Sequence, residues 1–121
     1  MDITPLIPAD RQIIQAYGSG RFRVNGTVFE EPIIVFPERT IPWPSAGLTV
    51  EAFEPVLASS GEVELLLVGC GGRAAFVPPN VRQTLRQAGI VTDAMGTGAA
   101  CRTYNVLLAE GRLVAAALLP A

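Results

Sequence analysis

The residues best able to do chemistry fall together in Met95–Arg112, which reads Met-Gly-Thr-Gly-Ala-Ala-Cys-Arg-Thr-Tyr-Asn-Val-Leu-Leu-Ala-Glu-Gly-Arg. A glycine-rich turn there runs into a helical pattern carrying Thr97, Cys101, Arg102, Thr103 and Asn105. Cys101 is the candidate nucleophile. A thiol in the first turns of a helix feels the positive end of the dipole, and a neighbouring arginine favours its thiolate. Turnover also needs a base. The chain has no histidine, and all 9 of its basic residues are arginine. That removes Cys-His and Ser-His dyads, the usual zinc ligand, the Schiff-base lysine and the P-loop lysine. An enzyme here would work with Asp, Glu, Cys, Tyr and Arg alone. A small thiol in an Ala-Ala-Cys run is more simply packing. The stretch reads as non-catalytic.

A second constellation is Gly69-Cys70-Gly71-Gly72-Arg73-Ala74, which follows an apolar run. It matches G-x-G-x-x-A, and Asp93 ends the next apolar segment, as in half a dinucleotide-binding unit. Pro78-Pro79 argues against that reading. The next helix starts there, beyond the glycines, and prolines lack the amides that hold a pyrophosphate. The glycines then mark a loop where backbone passes close to a neighbour. Loops at the carboxyl ends of strands converge in such sheets, so this loop can face Thr97–Ala99. Free amides there, with Arg73 or Arg102, would suit a carboxylate or phosphate. The candidate anion pocket is Gly69, Gly71, Gly72, Arg73, Thr97 and Arg102, with Thr97 as both N-cap and ligand donor. In the competing structural reading Thr97 only caps, Arg102 pairs with a carboxylate such as Asp93, and Asn105 satisfies backbone. Cys70, in the glycine loop, is expected to be exposed. The two cysteines form no disulfide or metal pattern, and no cofactor is expected.

The positioning elements follow from periodicity. Residues 1–11 form an arm. Gln12–Tyr17 is a short strand, and Arg21–Val24 alternates as a half-buried strand does. Asn25-Gly26 is a hairpin signal because both residues tolerate positive φ. Thr27–Phe36 continues the hairpin with Pro32 as a bulge or edge. Ile41-Pro42-Trp43-Pro44 is a stiff loop. Trp43 either packs on the core or is presented as a partner contact. Thr49–Ala58 reads as a helix capped by Thr49, and Glu62–Val68 as a strand covered on both faces. Pro79–Ala88 is a helix with Val81, Leu85 and Ala88 inward and Gly89 at its C-cap. Ile90–Thr92 is a short strand, and Asp93–Thr97 turns into a helix over Ala99–Glu110. Leu113–Leu119 is apolar throughout and is expected at the centre of the sheet.

Composition sets the class. The 121 residues are 50% apolar and 17% charged, with a net charge of −2. That suits one globular domain over residues 1–121 and gives no electrostatic reason to bind nucleic acid. The apolar runs are too short to span a bilayer. Met-Asp-Ile-Thr-Pro lacks the basic and apolar regions of a signal peptide, so the expected location is a bacterial-type cytoplasm or, in a mature form, an organelle.

Three words carry a resemblance: Val-Asn-Gly after the first strands, Leu-Leu-Val-Gly-Cys-Gly in the middle, and the Met95–Arg112 stretch. With the order of the elements, they resemble the Mth-type domain family, long described as a domain of unknown function. That family includes the third mitochondrial assembly factor of respiratory complex I and the adipogenesis-associated Mth-domain protein. The likeness runs from Ile13 to Pro120. It implies a three-layer α/β domain: a mixed sheet of about five strands, flanking helices and an added N-terminal antiparallel meander. It also implies a non-enzymatic accessory protein of complex I biogenesis, whose partner is an assembly factor or subunit. A homo-oligomer is the other expected association, and an anion-binding module the alternative function.

Overall fold

A computed structural model describes residues 11–44, 46–72 and 76–121. Three strands, β1 (Ile14–Gly18), β2 (Arg21–Val24) and β3 (Thr27–Phe29), form an antiparallel sheet. Asn25 (φ 47°) and Gly26 (φ 84°) make the turn between β2 and β3, as a tight hairpin of matching twist requires. The chain then changes sheets. The expected single strand Thr27–Phe36 is divided around Pro32, which has no amide to continue a ladder. Beyond it, β4 (Ile33–Val35) joins a second sheet with β5 (Thr40–Pro42).

The expected helix over Thr49–Ala58 is also divided. Thr49 Oγ1 accepts from Ala52 N at 3.2 Å. A 3-10 turn (Glu51–Phe53) follows, then the four-residue α1 (Glu54–Leu57). Pro55 explains the break, since it removes one helical hydrogen bond and crowds the carbonyl four residues back. β6 (Leu65–Gly69) starts later than the sequence implied, because residues 60–62 form another 3-10 turn. α2 (Pro79–Gln87) begins at its proline, and Gly89 (φ 83°) lies past its end. β7 (Val91–Met95) absorbs most of the expected turn at Asp93–Thr97. α3 (Thr97–Ala109) leads into β8 (Val114–Leu118).

The main sheet has the order β5-β4-β8-β6-β7. β8 is central and buried at every residue, as its unbroken apolar run implied. β6 runs parallel to β7 and β8, while β4 is antiparallel to β5 and β8. Side chains alternate across this sheet. Ile34, Leu66, Val68, Ala115 and Ala117 face a core with Phe53, Val56, Val81 and Leu85. Ile33, Val35, Leu67, Val114, Ala116 and Leu118 face α3 and the N-terminal sheet through Tyr104, Ile14, Phe22 and Val24. The result is three layers, with α3 wedged between the sheets. Small residues at the centre of β8 leave room for large rings on both sides.

Trp43 belongs to the first core, which corrects its reading as a partner contact. Only 3% of it is exposed. Its Nε1 donates to Ala52 O at 2.7 Å, and its ring lies 5.4 Å from that of Phe53. The prolines on either side stiffen the loop, and the 3-10 turn supplies the carbonyl that an indole needs in order to be buried.

Candidate functional site

The glycine loop and the start of α3 do meet, and one hydroxyl joins them. Thr97 is the first residue of α3, with Gly96 before it in extended geometry. Its side chain is buried. Oγ1 accepts from Gly71 N at 2.8 Å and donates to Leu119 O at 2.6 Å. Thr97 N donates to Gly71 O at 3.3 Å, Cys70 N to Met95 O at 2.8 Å and Leu119 N to Gly69 O at 3.0 Å. The carboxyl ends of β6, β7 and β8 are thus tied to one point. Gly96, not Thr97, is the N-cap, and the Thr97 hydroxyl uses its donor and one acceptor site within the protein.

Gly69 is needed for this close approach. A Cβ there would lie 2.9 Å from Leu118 Cδ2 and 3.1 Å from both Thr97 Cα and Thr97 Oγ1. Gly69→Ala should therefore cost about 1–3 kcal/mol through overpacking, read as a lower denaturant midpoint at unchanged slope. Gly71 takes a left-handed φ of 69°. Gly72 is exposed and its Cβ would meet nothing. Arg73 lies outside the described residues.

Arg102 does not pair with Asp93. It leans toward the N-terminal sheet, where Nη1 donates to Tyr17 Oη and the guanidinium sits 5.9 Å from the ring centre. Both side chains cross the start of α3. A Cβ on Gly98 would be 3.0 Å from Tyr17 Cε2 and 3.3 Å from Arg102 Nη1. One turn on, Asn105 does satisfy backbone, as expected. Its Oδ1 accepts from Ile14 N at 3.0 Å and its Nδ2 donates to Ile14 O at 2.8 Å. Tyr104 Oη lies against two carbonyls, Gln12 O at 2.9 Å and Phe36 O at 3.2 Å. The polar residues of α3 therefore serve the contact between layers.

The thiols are not poised for attack. Cys70 is buried, against the expectation of exposure, because the loop folds down onto Thr97. Cys101 is buried among the residues of the second core. Burial outweighs Arg102 and the backbone, and pushes the thiol from an ordinary 9.0 up to about 12. Burial also raises the Tyr104 phenol. The folded state holds protons that the unfolded state releases, so this contribution is whole below pH 9 and is lost as the pH climbs toward 12. Urea midpoints should fall as pH rises above about 9, and Cys101→Ala should flatten that fall. Among the described residues, no cluster of three or more His, Cys, Asp or Glu could hold a metal.

Two clefts lie away from this junction. One, of about 260 Å³, includes Arg11, Phe36, Glu38, Arg39 and Glu62 in its lining. Arg39 is fixed there, 4.1 Å above the Phe36 ring, with Nη2 donating to Ser59 Oγ at 2.6 Å and Nη1 3.4 Å from Glu62 Oε2. The other, of about 210 Å³, lies beside β7. Sequence reading found neither. The residues of the first come from segments far apart in the chain, and those of the second meet only where α2 packs beside β7.

An α/β domain with this mixed sheet and N-terminal meander is the Mth938-like fold, as in a Bordetella pertussis protein described as a Mth938-like domain. The two superpose with a TM-score of 0.78 at 31% identity, over 99% of this chain and 92% of that one. A family model described as "Protein of unknown function (DUF498/DUF598)" matches residues 14–119, and the chain belongs to that family. A Bartonella henselae structure, described as an outer membrane protein, gives a TM-score of 0.84 at 39% identity, over 93% of this chain and 97% of that one. An uncharacterised Rhodobacter capsulatus protein is 38% identical over 107 residues, 88% of this chain and 83% of the relative. NADH dehydrogenase [ubiquinone] 1 alpha subcomplex assembly factor 3 of Xenopus tropicalis is 32% identical over 115 residues. That match covers 93% of this chain but only 63% of the relative, so the chain spans less than two thirds of that assembly factor. Among the described residues, no helix is long and apolar enough to cross a membrane.

Proposed function

We propose that this protein is a non-catalytic accessory factor that binds other proteins during the biogenesis of respiratory complex I. The observation that carries this reading is its similarity, over 93% of its length, to a protein named as a complex I assembly factor. The site chemistry is consistent with it. Thr97, Tyr104 and Asn105 spend their polar groups between the layers, and Cys101 is held protonated by burial. The working location is the cytoplasmic side of the inner membrane, where the arms of the complex join. Its partner is an assembly factor or a subunit. The test is affinity purification of the tagged chain from membranes of its own host. Recovery of complex I subunits or assembly proteins in stoichiometric amount is expected. A purification that retains none of them contradicts the proposal.

A second reading is a small-anion module at the start of α3. It is favoured by the arginine group of Arg102 crossing Gly98 at the positive end of the helix. Gly71 and Thr97 bond to each other in this conformation, so an anion there would meet Arg102 and the first amides of α3. Millimolar phosphate should then raise the melting temperature, and Arg102→Ala should abolish the rise. No shift in the parent chain removes this reading.

A further inference from the structure

The main sheet has two edges, and they differ. β5 is three residues long and ends in Pro42, and both features blunt an edge against further pairing. β7 is five residues long and pairs with β6 in unbroken parallel register. It carries no proline and no bulge. Val91 N donates to Glu64 O at 2.9 Å, and Met95 O accepts from Cys70 N at 2.8 Å. Residues 91, 93 and 95 therefore turn their peptide groups toward β6. Alternation leaves the N–H and C=O of Thr92 and Ala94 pointing away from the sheet.

A cleft of about 210 Å³ lies against this edge, lined by Phe76, Val77, Arg82, Thr92, Asp93 and Ala94. Thr92 Oγ1 is buried and has no hydrogen-bond partner among the described residues. Buried hydroxyls are nearly always paired; this one lies beside the cleft and gains a partner there only when its side chain turns toward it. Phe76 and Val91 are each 56% exposed. Among the described residues, neither Arg82 nor Asp93 forms an ion pair.

We infer that the β7 edge is the docking site for an extended strand of a partner protein, which adds to the sheet as its sixth strand. This rests on the reading of the chain as a protein-binding factor and names the surface it uses. Outward peptide groups at alternate residues are complementary to another extended backbone and to little else. Thr92 Oγ1 favours a partner strand that offers a polar group, Arg82 and Asp93 favour one that carries a carboxylate and a cation to meet them, and Phe76 favours an apolar side chain. A second copy of this chain is disfavoured in the register that uses Thr92 and Ala94 together, since two-fold antiparallel pairing of Thr92 with Ala94 sets Asp93 directly against the Asp93 of the copy, and like charges in that position repel.

The test uses the full chain and the complex I protein it retains from its own host. Hydrogen exchange is read at the Thr92 and Ala94 amides, free and in the complex. Both should exchange fast in the free chain and slow by about tenfold or more in the complex. Thr92→Val should raise the melting temperature of the free chain yet weaken retention of the partner, an opposition that a purely structural hydroxyl would not produce. Ala94→Pro removes an amide that faces away from β6. It should leave circular dichroism unchanged and reduce retention by about tenfold. If Ala94→Pro unfolds, the exchange data and Thr92→Val decide. A retained partner with unchanged exchange at both amides overturns the docking site and leaves the binding reading standing. Retention of no partner overturns both. Protection of the same amides in a concentration-dependent dimer overturns the choice of occupant.

Discussion

Tyr104→Ala should destabilise the protein by about 3–5 kcal/mol, the cost of emptying a large buried aromatic site. Tyr104 is 0% exposed and belongs to the core between α3, the main sheet and the N-terminal sheet. Its hydroxyl also meets the carbonyls of Gln12 and Phe36, at 2.9 and 3.2 Å. Tyr104→Phe separates the two contributions. It keeps the ring and removes one polar group, so it should cost only about 1–2 kcal/mol. Urea denaturation of both variants reads the difference directly. Equal costs would mean that the hydroxyl, and not the ring, holds the layers together. Domains of this size are stable by only about 5–15 kcal/mol, so Tyr104→Ala should remove a large share of that margin and lower the melting temperature steeply.

Trp43→Ala should cost a similar amount, about 3–5 kcal/mol, on the opposite face of the sheet. The indole packs against Phe53 and caps the carbonyl of Ala52. A Trp that served as a binding anchor would behave differently, since truncation would weaken partner capture and leave the melting temperature unchanged. Here the melting temperature should fall steeply. Partner capture by the fraction that remains folded should persist, because the β7 edge lies elsewhere. Differential scanning fluorimetry with capture at low temperature separates the two outcomes.

Much of the architecture was legible because it depends on local chemistry. The unbroken apolar run of β8 marked the central strand, which side chains cover on both faces. Asn25-Gly26 marked a turn because few other residue pairs accept two positive φ angles. Pro79 and Gly89 bracketed α2 for equally local reasons. Two of the misread elements turn on prolines. Pro32 marks a change of sheet where a bulge or an edge was expected, and Pro55 splits a helix that periodicity alone had joined. A proline reports a lost amide, but the consequence depends on which neighbours are present to receive the chain.

The candidate site was legible only as a meeting place. Loops converging at the carboxyl ends of strands implied that Gly69–Arg73 could face Thr97–Ala99, and within that pair of segments Gly71 bonds to Thr97. The sequence could not specify how Thr97 spends its hydroxyl, because Leu119 O lies 22 residues away. Arg102 finds Tyr17 across 85 residues, and no local pattern favours that oxygen over Asp93. The Thr92 hydroxyl reads as an ordinary strand threonine until β7 is placed at the edge of the sheet. These are tertiary facts. They depend on strand order, which single-residue chemistry constrains only weakly.

The central claim is that this α/β domain works by holding proteins together during complex I assembly, without a reaction of its own. Its most direct test is deletion of the gene in the native host, with native-gel analysis of the membranes and assay of NADH-driven quinone reduction. The claim requires loss of mature complex I and build-up of partial assemblies. Both should be restored by the parent chain and equally by a Cys70→Ala/Cys101→Ala chain that has no thiol. Normal complex I in the deletion strain, or restoration that depends on a thiol in a folded variant, would contradict it.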